Sequence, residues 1–142
     1  MRVKRCFVDT SAYVALYYAG DADHQRVKAV FRQLEQDKGH LVTSDYVIDE
    51  TITRLRDLIG LPATLIAVRE ILLASRFTLE RVTAADFARA LEIIAQRPEV
   101  DYSFTDCTSF AIMERLGLDV AVAPNGHFAR FGRFSLVLPL SP

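Results

Sequence analysis

The sequence predicts an α/β fold with a central, mostly parallel sheet. Short apolar segments typical of buried strands alternate along the chain with longer segments whose apolar residues recur at helical spacing. Of the 142 residues, 51% are apolar and 25% charged, which is the composition of an ordinary globular protein. This length favours one domain, over residues 1–142, with a core of its own.

Several segments have the composition of strands. The first, Arg2 to Val8, ends in the apolar run Cys-Phe-Val, and the segment Arg-Phe-Thr-Leu-Glu-Arg-Val alternates in the way a half-buried strand does. The predicted strands cover residues 2–8, 40–43, 76–82, 119–123 and 135–140.

The segments between the strands carry helix periodicity and helix-end signals. Between Asp23 and Lys38, apolar residues follow one another at i, i+3, i+4 and i+7, and Gly39 ends the helix. Thr83 and Asp86 form the pattern of a capping box at the start of a later helix. The predicted helices cover residues 11–18, 23–38, 45–59, 62–74, 84–97 and 105–116.

Charge and cysteine usage indicate the compartment and narrow the class of partner. The formal net charge is −1, so the chain lacks a global basic field, although a local basic patch is enough to bind nucleic acid. Cys6 and Cys107 lie far apart in apolar surroundings, which favours reduced, buried thiols. Because the apolar runs are too short for a membrane span or a signal peptide, we expect a soluble, cytoplasmic protein.

Four polar residues follow or flank predicted strands at one edge of the sheet. Asp9 comes directly after the first strand, and Asn125 comes just after the strand at 119–123. Glu50 lies in the second turn of the helix after the second strand, and Asp106 lies in the first turn of the helix at 105–116. Ligands of parallel α/β sheets bind at the carboxyl ends of the strands, so these positions predict an acidic pocket.

An acidic pocket of this kind favours a divalent cation. Carboxylates a few ångström apart repel one another, and such a group persists most easily around a metal ion. Mg²⁺ and Mn²⁺ prefer oxygen ligands, and Mg²⁺ takes only one or two carboxylates while keeping several waters. Such an ion activates water for attack on phosphorus without a protein nucleophile. Phosphate-loop, dinucleotide-binding, serine-hydrolase and zinc-ligand motifs are absent from the sequence.

Each of the acids also has a structural explanation. Asp9 is a good helix N-cap, Glu50 could be a solvated helix residue supported by Arg54 four positions on, and Asp106 could form a capping box with Ser103. Asp101, in the turn before Asp106, is expected to face the solvent or to lie beside the metal ligands without binding the ion.

Hydroxyl, basic and aromatic side chains complete the predicted surroundings of the site. Thr10, Ser11 and Thr105 carry hydroxyls that could donate to the acids or to phosphate, or could simply complete turns and caps. His127 fits no metal-ligand spacing with the other histidines, so we expect a structural role, with Phe128 in the core. The basic residues that could flank the cleft are Arg54, Arg56, Arg97, Arg115, Arg130 and Arg133, and the run His-Phe-Ala-Arg-Phe-Gly-Arg-Phe suits RNA stacking.

Three segments resemble the PIN-domain ribonucleases, the family that includes the VapC toxins of bacterial toxin–antitoxin pairs. They are Val-Asp-Thr-Ser-Ala-Tyr-Val-Ala-Leu around Asp9, the helix around Glu50, and Asp-Tyr-Ser-Phe-Thr-Asp before and at Asp106. The resemblance covers essentially the whole chain. It implies a three-layer α/β/α domain, a Mg²⁺ or Mn²⁺ cofactor, endonucleolytic cleavage of RNA, and metal ligation by these three acids, with Glu50 acting directly or through water.

One position departs from the family pattern. Many relatives carry a fourth acid where this chain has Asn125, so the sequence predicts one well-bound metal ion and a weak second site. Two alternatives stay open: a PIN domain that has lost catalysis and serves as a binding module, or a housekeeping RNA-processing nuclease. The resemblance also implies a homodimer and an antitoxin partner. The apolar residues that could form such an interface are Leu58, Leu61, Leu65 and Ile66.

Overall fold

The computed structural model describes residues 3–139, and its centre is a five-stranded sheet. All four strand pairs are parallel, and the strands lie in the order β3-β2-β1-β4-β5. The strands are β1 (Arg5–Val8), β2 (His40–Ser44), β3 (Phe77–Glu80), β4 (Val120–Val122) and β5 (Leu136–Leu138). The predicted parallel sheet is confirmed. The predicted first strand began at residue 2 and the last ended at residue 140, both outside the described residues.

The predicted helices are present, and a short additional helix precedes β5. In the described chain the helices are α1 (Thr10–Tyr17), α2 (His24–Gln36), α3 (Asp45–Ile59), α4 (Leu61–Leu73), α5 (Ala84–Gln96), α6 (Phe104–Leu116) and α7 (His127–Phe131). α7 was missed because five residues between two glycines carry too little periodicity to predict a helix. Gly126 and Gly132 bound it, and both have positive φ, which glycine adopts without strain.

Helices cover both faces of the sheet, because β2 and β4 lie on opposite sides of β1. The crossover from β1 to β2 and the crossover from β3 to β4 run in opposite directions across the sheet. Because both are right-handed, their helices lie on opposite faces. α1 packs against α2 and α3, and α5 packs against α6. The three-layer α/β/α arrangement follows from this topology. None of the described helices is long and apolar enough to cross a lipid bilayer.

An aromatic cluster fills the core beneath α6 and α7. The Phe110 ring stacks on Phe131 with centroids 4.2 Å apart and meets Phe128 edge-on at 4.8 Å. Phe128 is completely buried, as expected from the sequence. This packing anchors the short helix α7 and the loop before it on the first half of α6.

The two cysteines are free and buried, which confirms the expectation of reduced thiols. Burial raises the pKa of Cys6 to about 12, and burial together with the nearby Asp106 carboxylate raises the pKa of Cys107 to about 11. Both side chains are therefore protonated core residues at neutral pH.

Candidate active site

The order of the strands reverses between β1 and β4, and the candidate site lies at the carboxyl ends of these two strands. The chain passes from β1 to β2 on one side and from β4 to β5 on the other. The loops that follow β1 and β4 therefore diverge and leave a crevice. The Asp9 backbone N–H donates to the Val122 carbonyl at 3.0 Å, which fixes the start of α1 beside the end of β4. The loop after β4 carries Asn125 into the same crevice.

Asp9 is the N-cap of α1, yet capping uses only one of its carboxylate oxygens. Oδ2 accepts the Ser11 backbone N–H at 3.1 Å, the Ser11 hydroxyl at 2.6 Å and the Asn125 amide at 3.4 Å. Oδ1 is buried and has no hydrogen-bond partner among the described residues. Buried carboxylate oxygens normally have a partner, so this atom needs a ligand from outside the protein.

Asp106 shows the same division between its two oxygens. Ser103 and Asp106 form the predicted capping box at the start of α6, in which Oδ2 accepts the Ser103 backbone N–H at 3.1 Å. The same Oδ2 lies 2.6 Å from Nδ1 of His127. Both described hydrogen bonds to this carboxylate end on Oδ2, which leaves Oδ1 for another ligand. Capping and ligation are therefore compatible in Asp9 and in Asp106.

Asn125 forms hydrogen bonds with the Asp9 carboxylate and with the backbone of His127. Its Nδ2 points to Asp9, and its Oδ1 accepts the His127 backbone N–H at 3.0 Å. The opposite amide orientation would place the amide oxygen against the Asp9 carboxylate and the amide N–H against the His127 backbone N–H. Both contacts would be repulsive, so the nitrogen faces Asp9 and the oxygen faces His127. Both polar atoms of Asn125 are thus engaged within the protein, an arrangement that favours holding Asp9 over binding a cation.

His127 contacts the site, whereas the sequence predicts only a structural role for it. It fits no metal-ligand spacing, and its contact is with a carboxylate instead. Its ring also packs edge-on against Tyr102, with centroids 5.7 Å apart. The only sequence signal was its position two residues after Asn125, on the loop that follows β4.

Glu50 lies close enough to Asp9 to act on it through its charge, with no hydrogen bond between the two among the described residues. It is half-buried on α3, and its charge contributes to raising the pKa of Asp9. The proposed Glu50–Arg54 ion pair is not found among the described residues, so the Glu50 carboxylate has no cation beside it. The adjacent Asp49 is exposed, as expected of a surface acid.

The site is electrostatically unbalanced in the absence of a cation. Burial is the main cause that raises the pKa of Asp9 to about 6, and the Asp106 and Glu50 charges raise it further against the hydrogen bonds from Ser11. In the described part of the chain, no lysine or arginine forms a salt bridge with Asp9, Glu50 or Asp106. An external cation would relieve this repulsion.

The donor set fits one hard divalent cation, although the side chains are not drawn together tightly. Within residues 3–139, no group of three or more His, Cys, Asp or Glu side chains has the geometry to hold an ion by itself. The two free Oδ1 atoms of Asp9 and Asp106 match the one or two carboxylates that Mg²⁺ usually takes while keeping its waters. Oxygen ligands of this kind also suit Mn²⁺.

Comparison with known proteins gives the family. A PIN domain model matches residues 6–133. The chain belongs to the PIN domain family. The 23S rRNA-specific endonuclease VapC20 of Mycobacterium tuberculosis is 37% identical over 126 residues, which cover 89% of this chain and 93% of that protein. The crystal structure of M. tuberculosis VapC20, described as a toxin that cleaves the sarcin–ricin loop, aligns with a TM-score of 0.80 over 90% of this chain and 95% of that chain, at 37% identity.

More distant structures share the PIN fold. VapBC2 from Rickettsia felis, solved with a fragment of promoter DNA, aligns with a TM-score of 0.66 at 16% identity, covering 93% of this chain and 96% of that one. A toxin–antitoxin complex from Klebsiella pneumoniae aligns with a TM-score of 0.64 at 18% identity, covering 96% and 99%. At these identities the likeness concerns the fold alone.

The remaining polar residues predicted near the PIN site differ in their surroundings. Ser11 holds Asp9, whereas the buried Thr10 hydroxyl has no partner among the described residues. The Thr105 carbonyl accepts hydroxyls from the next turn of α6, so its backbone serves the helix. Asp101 is exposed, which agrees with the solvent-facing alternative.

Two expectations about RNA contacts are corrected. Arg115 is in the last turn of α6, about 13 Å along the helix from Asp106, and pairs with Asp86 and Glu80, so it does not flank the cleft. Phe128 and Phe131 are buried in the aromatic cluster and are not available for base stacking. These two rings pack inward against Phe110 of α6. The alternation of aromatic residues with arginines in the sequence does not indicate this packing.

A large cavity lies away from the acids of this PIN domain. It has a volume of about 440 Å³, and its wall includes residues at the start of β2 and the segment before β3. These positions are at the amino ends of the strands, the edge opposite to the ligand-binding edge of a parallel sheet. Asp9, Glu50 and Asp106 do not line it, so the candidate site rests on its chemistry and topology.

Proposed function

We propose that this PIN domain, over residues 1–142, is a Mg²⁺- or Mn²⁺-dependent endoribonuclease. The observation that carries the proposal is the matched pair of buried carboxylates, Asp9 and Asp106. Each has one oxygen held by protein donors and one free, and among the described residues neither is paired with a lysine or an arginine. The relationship to an RNA-specific endonuclease supports the same activity.

The chain's own residues define the roles at the site. The free oxygens of Asp9 and Asp106 would hold the cation, and Glu50, half-buried nearby, would reach it through a water molecule. When bound, the cation lowers the pKa of water and neutralises charge on the scissile phosphate. Ser11 and Asn125 hold the Asp9 carboxylate in place, so we assign Asn125 to orientation of Asp9 and not to a fourth ligand position.

The substrate class follows from the relatives. VapC20 is named as a 23S rRNA-specific endonuclease that cleaves the sarcin–ricin loop. We propose that this chain also cleaves a structured loop of ribosomal RNA.

The direct test compares two neighbouring acids on α3. A hairpin RNA containing the sarcin–ricin loop and a hairpin of shuffled loop sequence are incubated with the protein and Mg²⁺ or Mn²⁺, with and without EDTA. Wild type should cut the first hairpin only when the metal is present. Glu50→Gln should lose most activity, whereas Asp49→Asn, one residue away and exposed, should keep it.

Several outcomes would contradict the proposal. Cleavage that persists in EDTA would show that the reaction needs no metal ion. Equal loss of activity in Glu50→Gln and Asp49→Asn would show that the effect does not depend on the Glu50 carboxylate in particular. Folded wild type that neither binds Mn²⁺ nor cleaves either hairpin would favour the binding-module alternative.

We further propose a cytoplasmic toxin controlled by an antitoxin, because the 37%-identical relative is a toxin. Growth arrest on expression, relieved by co-expression of a neighbouring gene, is the expected result. A chain that has no effect on growth and is active on precursor RNA would favour the housekeeping nuclease.

A homodimer is proposed from an apolar patch on α3 and α4. The patch is formed by Leu58, Leu61, Leu65 and Ile66, whose exposed fractions run from 40% to 59%. The alternative that these side chains pack in the core is therefore not supported. Light scattering should give a dimer for wild type and a monomer for Ile66→Glu, and a monomeric wild type would contradict the proposal.

A further inference from the structure

His127 makes a direct contact with the Asp106 carboxylate that the proposed function has not used. Its Nδ1 lies 2.6 Å from Oδ2 of Asp106, and its side chain is 24% exposed. Because a carboxylate oxygen accepts hydrogen bonds, Nδ1 must carry the proton and donate it. The Ser103 backbone N–H ends on the same oxygen, so this oxygen has two donors and the other has none.

The His127 ring is itself held in place by its neighbours. Its backbone N–H donates to Asn125, and its ring stands edge-on against Tyr102 at an interplanar angle of 87°. The next residue, Phe128, is buried against Phe110, which belongs to the same helix as Asp106. The imidazole is therefore a rigid donor whose direction is set by packing.

A donor on one oxygen determines which way the carboxylate turns its other oxygen. The Ser103 N–H alone would leave the Asp106 carboxylate free to rotate about its terminal torsion, which is broad for aspartate. A second donor, coming from α7, restricts that rotation. An arginine here would donate to both oxygens with a permanent charge, whereas imidazole can donate through one nitrogen and leave the second oxygen free.

We propose that His127 is a positioning residue that orients Asp106 so that Oδ1 faces the divalent cation. The inference rests on the proposed function, since it assigns a role at the same site. His127 touches neither the substrate nor the cation in this role. It acts through the Nδ1 hydrogen bond, in the way that outer ligands of metal sites orient the residues that bind the ion.

The experiment uses two substitutions that separate the hydrogen bond from the ring. His127→Asn places a side-chain N–H close to where Nδ1 stands and loses the rest of the imidazole. His127→Phe keeps a ring against Tyr102 and loses the donor. His24→Phe is the matched control, because His24 is a part-buried histidine whose Nδ1 contacts the Ala15 carbonyl, a contact that involves none of the site acids.

The first measurement is Mn²⁺ binding by calorimetry, which does not depend on turnover. His127→Phe should weaken Mn²⁺ binding roughly 10- to 100-fold, the usual effect of removing an outer partner of a metal ligand. His127→Asn should recover most of that loss, and His24→Phe should bind as wild type. RNA cleavage should follow the same order in kcat with little change in KM. Nitrogen-15 NMR of metal-free wild type should show the His127 proton on Nδ1.

Three results would overturn the proposal: His127→Phe binding Mn²⁺ as tightly as wild type, His127→Asn being as impaired as His127→Phe, or the NMR proton residing on Nε2. Should His127→Phe fail to fold by circular dichroism, His127→Leu, whose side chain has no hydrogen-bond donor, takes its place. A wild type without Mn²⁺ binding or cleavage would reject the proposed function itself, whereas an active wild type with an unaffected His127→Phe would reject only the role of His127.

Discussion

Two consecutive helices begin with the same motif and use it differently. Thr83 and Asp86 cap α5, and Ser103 and Asp106 cap α6; in each capping box the aspartate is 3% exposed and its Oδ2 accepts the cap backbone N–H. Asp86 then receives Arg115, whose Nε and Nη2 donate to its two oxygens at 2.9 Å and 3.0 Å. Asp106 receives only His127, on one oxygen.

The difference teaches what separates a structural carboxylate from a candidate ligand here. Burial alone would raise the pKa of Asp86, but hydrogen bonds from Arg115 and Thr83 outweigh it and lower that pKa. Both Asp86 oxygens are consumed and its charge is neutralised within the protein. Asp106 keeps an oxygen and a charge for a cation that the chain does not supply. The local motif is therefore uninformative about function, and the third partner decides it.

The largest expected effect is on RNA cleavage, when Asp106 and Asp86 are each replaced by asparagine in separate variants. Asp106→Asn removes a charge and weakens a proposed metal ligand, so RNA cleavage should fall on the order of 100- to 1000-fold, because several kcal/mol of transition-state stabilisation depend on the cation. Asp86→Asn should leave kcat of the folded protein unchanged. Single-turnover cleavage of the hairpin RNA at 25 °C measures both. Comparable losses in the two variants would abolish the distinction drawn between the motifs.

The second effect is on stability, where Asp86→Asn should cost more than Asp106→Asn, the reverse of their order in activity. Asp86→Asn breaks a buried pair and should lower the free energy of unfolding by about 1–3 kcal/mol, less than for a fully buried pair because Arg115 is 35% exposed. Asp106→Asn, having no arginine to strand, should cost less than that. Urea unfolding of both metal-free variants measures the difference. A greater loss for Asp106→Asn would mean that its capping box is the more structural of the two.

The sequence predicted much of this arrangement, because its signals were local. Helix caps at Thr83 and Ser103 need only residues a few positions apart, and both are present in the structure. The edge position of Asp9 and Asp106 followed from the order of strands and helices. The contacts of His127 and Arg115 did not, because they join residues 21 and 29 positions away through packing of the aromatic cluster and of α5 on α6.

The third prediction concerns the cost of leaving a carboxylate without a cation, as at Asp9. Folding raises its pKa from 3.8 to about 6, so the fold favours the protonated form. The contribution of Asp9 to the stability of metal-free wild type should therefore be greatest below about pH 4 and be lost as the pH rises through 6. Asp9→Asn cannot ionise and keeps the cap, so it should be more stable than wild type at pH 8 by about 1–3 kcal/mol.

Thermal unfolding in EDTA across this pH range measures the effect, and Mn²⁺ provides the control. Added Mn²⁺ should raise the melting temperature of wild type at pH 8 and leave that of Asp9→Asn almost unchanged. Parallel pH profiles for the two proteins would show that Asp9 is compensated by a group other than a cation.

The smallest effect is expected at Asn125, where substitution by aspartate adds a further carboxylate to the site. Asn125→Asp is nearly isosteric and keeps an oxygen for the His127 N–H, but it replaces the Nδ2 donor, 3.4 Å from Asp9, by a second negative oxygen. Repulsion should lower metal-free stability by about 1 kcal/mol. The added charge should also tighten a second Mn²⁺ roughly tenfold and speed RNA cleavage. Calorimetry and melting curves in EDTA decide it: unchanged stability together with unchanged Mn²⁺ stoichiometry would place residue 125 outside the electrostatic reach of Asp9.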